Sequence, residues 1–407
     1  MLSVRRQGGV VVEYMDQGVI IDPPSQSVEY PVFVSHAHGD HSAAFRYPCI
    51  SSYATEETIR LVETLSGRCL QEPKRLNLGG KVKIGDIEVK TLNAGHILGS
   101  VQFEVDTPEG IVLYTGDFSL GDSYTMKPAE IVRCDLLVIE TTFGSPIFSF
   151  PRREDLALDM VKWATMEVVS KGRIPTFKTD SIGNAQEIIT IFNRLTRLPV
   201  VTVKSVTKAS DVYREYGFNL EYFDSDSDEG VELLESGKCV LIASKGSKLS
   251  GENLETALAS GWASIIRGKT GRQFPLSDHA DFRGLLGFIK SCKPKKVLTM
   301  HGGALTKGFA DYVKDRFGID AKPLTIRVET LFRRASVNES RMKACCDQVL
   351  STVRIPGFIY VKRWLLSEMA KKGFSHQETE DALSRLIERG IIRVEGSEIK
   401  LNIEGLK

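Results

Sequence analysis

The stretch Phe33-Val34-Ser35-His36-Ala37-His38-Gly39-Asp40-His41 decides how this sequence is read. The β-branched and aromatic run from Pro31 to Ser35 predicts a strand. Three histidines and an aspartate follow within six positions, with Gly39 loosening the backbone between them. Imidazole and carboxylate are the ligands of zinc and similar divalent ions, and packing does not account for a cluster this dense. His36 and His38 alternate, so both can face one side of an extended segment, while Asp40 and His41 turn onto the next element. One loop could therefore serve two metals. The alternative is a histidine-rich surface loop, the standing risk of any short pattern.

Length and composition narrow the class. A chain of 407 residues has the length of two or three domains, and 42% hydrophobic with 26% charged residues is ordinary for a soluble globular protein. No apolar stretch is long enough to span a bilayer. Arg5 and Arg6 near the start are not followed by a continuous apolar core, so no secretory signal is expected. The seven cysteines show no Cys-x-x-Cys spacing, which argues against a disulfide framework or a zinc knuckle and for a reducing, cytoplasmic setting. The net charge of +1 is uneven: residues 333–407 carry +4 and the remainder −3. That asymmetry hints only mildly at an acidic partner for the tail.

Outward from the histidine loop, short strands separated by turn signals are expected at Val10–Tyr14, Val19–Asp22, Val32–Ser35, Val82–Ile84, Ile87–Leu92, Val101–Val105 and Ile111–Thr115. Thr55 to Leu65 reads as an amphipathic helix. After a strand at Leu136–Glu140 the character changes. Arg153 to Ser170 predicts a helix with Leu156, Met160, Trp163, Ala164 and Val168 on its core face. Strands and helices then alternate (Arg173–Phe177, Ala185–Leu195, Val200–Thr202, Ser210–Tyr216, Cys239–Ala243), the pattern of a small parallel α/β unit. Around Gly261–Ile266 the chain begins a return to short strands, ending with Lys296–Met300. The last segment is separable: helices at Glu339–Val353, Tyr360–Lys372 and from Ser375 to Gly390, then a hairpin of Ile391–Val394 and Glu398–Ile403. Ser375 with Glu378 forms a capping box, and Gly390 is a natural C′ residue. Three helices followed by a two-stranded wing is the winged-helix pattern.

Six of the seven histidines lie in short motifs that follow strands or strand-like runs. His96 follows Thr91–Gly95, Asp117 follows Val112–Gly116, Glu140 ends Leu136–Ile139, His279 sits in Leu276–Asp281 and His301 follows Val297–Met300. Strand ends of a layered sheet structure line one edge, where a site can be assembled. Each residue alone has a bland reading as a hydrogen-bonded core group, but five independent strand ends bearing ligand-type residues make that reading improbable.

His-x-His-x-Asp-His resembles the signature of the metallo-β-lactamase superfamily. Gly95-His96-Ile97-Leu98-Gly99-Ser100, Thr115-Gly116-Asp117-Phe118-Ser119, Glu140-Thr141-Thr142-Phe143-Gly144, Ser277-Asp278-His279-Ala280-Asp281 and Met300-His301-Gly302-Gly303 resemble the remaining motifs of the β-CASP nucleases. That family, which includes ribonuclease J, the polyadenylation endonuclease and Artemis, has an inserted domain in the metallo-β-lactamase fold. The likeness covers about residues 8 to 325 and is strongest to ligase-associated exonucleases and mRNA 3′-end processing factors. Gly183-Asn184-Ala185-Gln186-Glu187 looks like the family's Gly-Arg-Ala-Gln-Glu helix start. Lys245-Gly246-Ser247, in place of a Pro-Gly-Met loop, and Phe177-Lys178-Thr179-Asp180 depart from its pattern.

The resemblance implies an α/β protein: a metallo-β-lactamase αββα sandwich formed by 1–147 and 269–335, a β-CASP α/β insert at 148–268, and a winged-helix domain at 339–407. It implies that His36, His38 and His96 hold one divalent ion and Asp40, His41 and His301 a second, with Asp117 bridging. Zinc is the first choice and manganese the second. A hydroxide between the metals would attack a phosphodiester, His279 oriented by Glu140 would protonate the departing sugar oxygen, and Asp22 would orient a ligand histidine. The expected substrate is single-stranded RNA or DNA, cut from an end. His301 matches RNA-acting members, DNA-acting ones tending to valine there, whereas the likeness to ligase-associated exonucleases points to DNA. A small-ester or thioesterase relative would need neither Glu140 nor His279, and a dead scaffold would have lost ligands that are all filled here. The helix Ser375 to Arg389 is too rich in Glu378, Glu380, Asp381 and Glu388 for a DNA groove. It is expected instead to meet a protein partner or a second copy, leaving any nucleic-acid contact to basic residues such as Lys371 and Lys372. No membrane contact is expected.

Overall fold

The computed structural model describes residues 1–407 other than 26, 28, 49, 50, 250, 252, 266–270, 331–338, 354–358, 396, 397 and 402–407. The expected break at Ile355-Pro356-Gly357, Arg333 and Arg334, Ile266, the turn Gly396-Ser397 and the strand end past Leu401 lie outside the described residues. The chain divides into two compact units, Leu2–Leu331 and Phe332–Lys407.

The first unit is built on two seven-stranded sheets. One runs Glu329–Thr330, Leu2–Gln7, Gly9–Tyr14, Gln17–Ile21, Val32–Phe33, Ser52–Thr55 and Lys74–Leu76; the other runs Asp320–Pro323, Lys296–Met300, Leu136–Glu140, Gly110–Tyr114, Val101–Thr107, Ile87–Asn93 and Lys81–Ile84. Their facing side chains form one core: Val10, Val12 and Phe33 from the first meet Phe103, Val112, Leu136 and Val138 from the second. Side chains alternate along a strand, so Val11 and Leu137 point the other way. Val11 packs with Ile59 of the helix Glu56–Ser66. Leu137 and Ile139 pack under the helices Phe282–Cys292 and Leu305–Phe317, through Phe288 and Phe309. Strands covered on both faces read as unbroken apolar runs, which is why Leu136–Ile139 shows no alternation. The result is the αββα layering that the resemblance implied.

The chain leaves the second sheet after Glu140 and re-enters it at Lys296–Met300, which pairs parallel with Leu136–Glu140. Two neighbouring strands thus bracket the insertion. Inside it stands a six-stranded sheet, all parallel, in the order Phe223–Asp224, Val200–Thr202, Val240–Ser244, Ile174–Thr179, Leu254–Ala259 and Arg272–Phe274. Arg272–Phe274 extends this sheet, and Phe274 is buried in its core, so the insert continues past the boundary expected at 268. Gly261–Ser264 is a 3-10 turn rather than a strand. The helix expected over Arg153 to Ser170 is α-helical only to Lys162 and then widens into a π turn, Trp163–Val168. There Thr165 Oγ1 donates back to the Val161 carbonyl at 2.8 Å, a bond that competes with the helix ladder.

Strand Leu2–Gln7 escaped the sequence reading because Arg5 and Arg6 read as charge rather than sheet. Arg5 lies on the outer face, paired with Glu13 at 2.8 Å, while Val4 is buried.

The second unit contains helices Glu339–Thr352, Lys362–Lys371 and His376–Glu388 and an antiparallel sheet in the order Ile359–Val361, Glu398–Leu401, Ile392–Glu395. The strand Ile359–Val361 was expected as helix from Tyr360. The acidic helix is less free than its sequence suggests: Arg341 holds Glu378, and Lys362 pairs with Glu380 at 2.9 Å.

Gly183, with φ +90°, starts the helix Asn184–Leu195 against the neighbouring sheet ends, where a Cβ would lie 2.4 Å from Asp278 Oδ2 and 2.6 Å from Ile97 Cγ2. Gly183→Ala therefore combines backbone strain with a clash and should cost about 1–3 kcal/mol in a denaturant melt. An unchanged midpoint would show that the insert is not seated on this contact.

Candidate metal centre

Six strand ends deliver the predicted residues to one edge of the sandwich. Gln17–Ile21 leads to Asp22, Val32–Phe33 to the His36–His41 loop, Ile87–Asn93 to His96, Gly110–Tyr114 to Asp117, Leu136–Glu140 ends on Glu140, and Lys296–Met300 leads to His301. His36, His38, His96 and Asp117 place one ligand atom each within 4.8 Å of one another. Asp117 Oδ2 is 3.6 Å from His36 Nε2, 3.5 Å from His41 Nε2 and 4.0 Å from His96 Nε2. His41 Nε2 is 3.7 Å from Asp40 Oδ2, and the His41 ring stacks on His301 with centroids 4.7 Å apart. Asp40 is the outlier, with its side chain 74% exposed.

Hydrogen bonds fix which nitrogen of each ring faces inward. Asp22, held at φ 48°, accepts from Ser35 N at 2.7 Å, Ser35 Oγ at 2.5 Å, His41 Nδ1 at 2.8 Å and Tyr114 Oη at 2.8 Å. With its proton committed to Asp22, Ser35 Oγ accepts from His36 Nδ1 at 3.0 Å. His96 Nδ1 donates to the Asp278 carbonyl at 2.9 Å. In all three histidines Nδ1 is occupied and Nε2 is turned toward Asp117. His38 Nδ1 faces His96 Nε2 at 3.1 Å.

The electrostatics follow from burial. Desolvation, then the neighbouring histidines, hold His36 well below the usual imidazole range. Burial and then His96 bring His38 to about 4, and burial and then His279 bring His96 to about 4. These rings are neutral, with lone pairs to give. At His41 burial opposes the cation, but Asp117 and then Asp22 outweigh it and raise the pKa to about 10. Burial also opposes ionisation of Asp117, yet the surrounding imidazoles, His41 first, keep it below the usual carboxylate range.

Opposite this cluster stands His279. Its Nδ1 lies 2.8 Å from Glu140 Oε1, and Glu140 is buried and also accepts from Phe118 N and Thr142 N. Burial disfavours the imidazolium, but Glu140 and then Asp117 raise His279 to about 10. Its ring centroid is 4.6 Å from that of His96.

The model of the Zn-dependent metallo-hydrolase RNA specificity domain matches residues 266–323. The chain is 28% identical over 363 residues to an "RNase J-like protein" of Methanocaldococcus jannaschii, covering 70% of this chain and 84% of that one. It is 28% identical over 359 residues to "RNase aCSPSF2" of Saccharolobus solfataricus, covering 70% and 72%. These likenesses support a β-CASP nuclease of the metallo-β-lactamase fold. It is also 31% identical over 301 residues to a protein of Opitutus terrae named "Probable DNA ligase"; the match takes in 71% of this chain but spans only 28% of that relative's length. Among solved structures, a protein of unknown function from Enterococcus faecalis superposes with a TM-score of 0.60 at 17% identity, covering 81% of this chain and all of that one. That likeness concerns the fold.

Zinc, the metal in the matching domain's description, fits the donors present. His36 Nε2, His41 Nε2 and Asp117 Oδ1 are buried and make no hydrogen bond. Buried polar atoms without partners are costly, and these converge on one space with imidazole and carboxylate chemistry that suits zinc. Among the described residues no helix is long and apolar enough to cross a membrane.

The two departures from the β-CASP pattern lean on each other. Lys178 Nζ donates to the Ser247 carbonyl at 3.1 Å, and Lys245 pairs with Asp180 at 2.6 Å. Ser35, Tyr114 and Asp278 carry roles that were not anticipated. Tyr114 was hidden in an apolar strand, and Asp278 acts through its backbone carbonyl, which no residue pattern reveals. Asp22→Asn replaces an acceptor by an amide facing four donors, and should lower zinc affinity about 10–100-fold in a competitive chelator titration. An unchanged affinity would mean that Asp22 does not set the histidine orientation.

Proposed function

We propose that this chain hydrolyses phosphodiester bonds of single-stranded RNA or DNA, working from strand ends. One divalent ion would be held by His36, His38 and His96 and a second by Asp40, His41 and His301, with Asp117 shared between them. The observation that carries the reading is the His279–Glu140 pair beside the histidine cluster. A lactamase or thioesterase of this fold needs the ligands but has no use for a buried carboxylate that keeps a neighbouring imidazole protonated. Every expected ligand position is filled, which argues against a non-catalytic scaffold. The RNA-specificity description of the matching domain and the RNase names of two relatives favour RNA; the ligase name of a third keeps DNA open.

Bound ions would polarise the phosphodiester and supply a hydroxide nucleophile at neutral pH. The protein's own part is positioning and proton transfer. Glu140 accepts the Nδ1 proton of His279 and balances the ring's charge, leaving Nε2–H to donate to the sugar oxygen as its bond to phosphorus breaks. Arg153 ties the insert to this segment: its Nη2 donates to the Ser277 carbonyl at 2.6 Å, and its Nε lies 3.3 Å from the buried Glu187. The C-terminal unit is read as a winged helix that meets a protein partner or a second copy, with fewer free acids than its sequence implied.

Metal-loaded protein incubated with 5′- and 3′-labelled single-stranded RNA and DNA tests the reading directly. Shortening from one end is expected, and inert oligonucleotides beside a hydrolysed thioester would reverse it. His38→Ala and His301→Ala should each reduce bound metal and abolish turnover; two equivalents retained with full turnover in either would end the two-ion assignment. His279→Ala should keep both ions and lose about 10²–10⁴-fold in rate, partly recovered on a substrate with a better leaving group. Loss of a metal from that variant would make His279 a ligand instead of the acid.

A further inference from the structure

The ring of Phe143 stands edge-on to His279, at 5.7 Å and 83°, on the segment that continues from Glu140. Phe143 is buried at 2% exposure and packs against Phe148 and Phe150. On it rests Trp262, from the 3-10 turn Gly261–Ser264 beside the insert's sheet, with centroids 5.1 Å apart. Trp262 also meets Phe148 in a T-shaped contact at 5.4 Å. Unlike Phe143 and Phe148, this indole is 40% exposed. Its seat is built. A Cβ on Gly261 would lie 2.4 Å from Phe143 Cζ and 3.0 Å from Ser277 Cβ, so glycine is what lets the turn press onto the phenylalanine and onto the approach to His279.

We propose that Trp262 is a nucleobase-stacking site, holding a base of the single strand close to the bond being cut. The inference rests on the nucleic-acid reading above and adds the contact that positions the strand. Two ring contacts separate the indole from His279, and a stacked strand rises roughly 3.4 Å per base. A base on Trp262 therefore belongs to a nucleotide within about three of the scissile phosphate. The indole is fixed from beneath by Phe143 and Phe148, so little ordering is required when a base arrives, and any of the four bases offers a face to it.

The test is affinity of the full-length, zinc-loaded protein for single-stranded oligonucleotides with phosphorothioate linkages to slow cleavage, scanned with one abasic position at a time. Trp262→Ala should weaken binding of the intact strand about 5- to 100-fold, and Trp262→Phe should restore most of it. One abasic position within about three nucleotides of the cut should weaken the wild type by a similar factor and Trp262→Ala by no further amount. Thermal melting of Trp262→Ala separates loss of a base contact from loss of the fold. Tight wild-type binding with an unaltered abasic profile in folded Trp262→Ala overturns the stacking site while the nucleic-acid reading stands. A wild type that binds none of these strands overturns that reading itself.

Discussion

The carboxylate of Asp22 holds the site together. It accepts from Ser35 N, Ser35 Oγ, His41 Nδ1 and Tyr114 Oη, three of these groups belonging to histidine-loop residues at the first sheet's edge and one to a strand of the second sheet. A buried carboxylate costs several kcal/mol unless it is paired or hydrogen-bonded, and four donors meet that need. In return Asp22 fixes the orientation of His41 directly and of His36 through Ser35. Because Tyr114 comes from the opposing sheet, the same bonds join the two layers beneath the cluster.

Insertion between neighbouring strands gives the second constraint. Leu136–Glu140 and Lys296–Met300 pair in parallel along their whole length, so the chain leaves at the edge that carries the histidines and must cross back, through the helix Phe282–Cys292, before Lys296 opens the second strand at the opposite edge. The insert and His279 precede that crossover. Glu140 is the last residue before the departure, and His279 and His301 belong to the return. The arrangement accounts for a histidine–carboxylate pair whose members are 139 residues apart in sequence yet 2.8 Å apart in space.

Much of this was legible in the sequence because the site residues sit at strand ends, where an apolar run stops at a polar residue that solvent and folding alone do not require. His36, His38, His96 and Asp117, grouped by motif in the sequence, lie together in the fold, and Asp22 stood out because Val19-Ile20-Ile21 ends on it. Groups that act from within apolar strands, such as Tyr114, or through the backbone, such as the Asp278 carbonyl, leave no residue-type signal. Boundaries failed where charge masks a strand, as at Arg5 and Arg6, or where side chain-to-backbone bonding distorts a helix, as at Thr165. Trp262 was passed over as one aromatic among many, since only the packing of Gly261 on Phe143 shows how it is held.

The central claim is that the histidine–aspartate cluster is a two-ion centre for phosphodiester hydrolysis. Stripping the protein with a chelator and titrating zinc back, while following bound metal per chain and single-stranded oligonucleotide cleavage together, tests it most directly. Cleavage should be absent in the stripped protein and rise to its plateau as the second equivalent binds. Full cleavage by metal-free protein, or a plateau of two bound ions with no cleavage of either RNA or DNA, would contradict it.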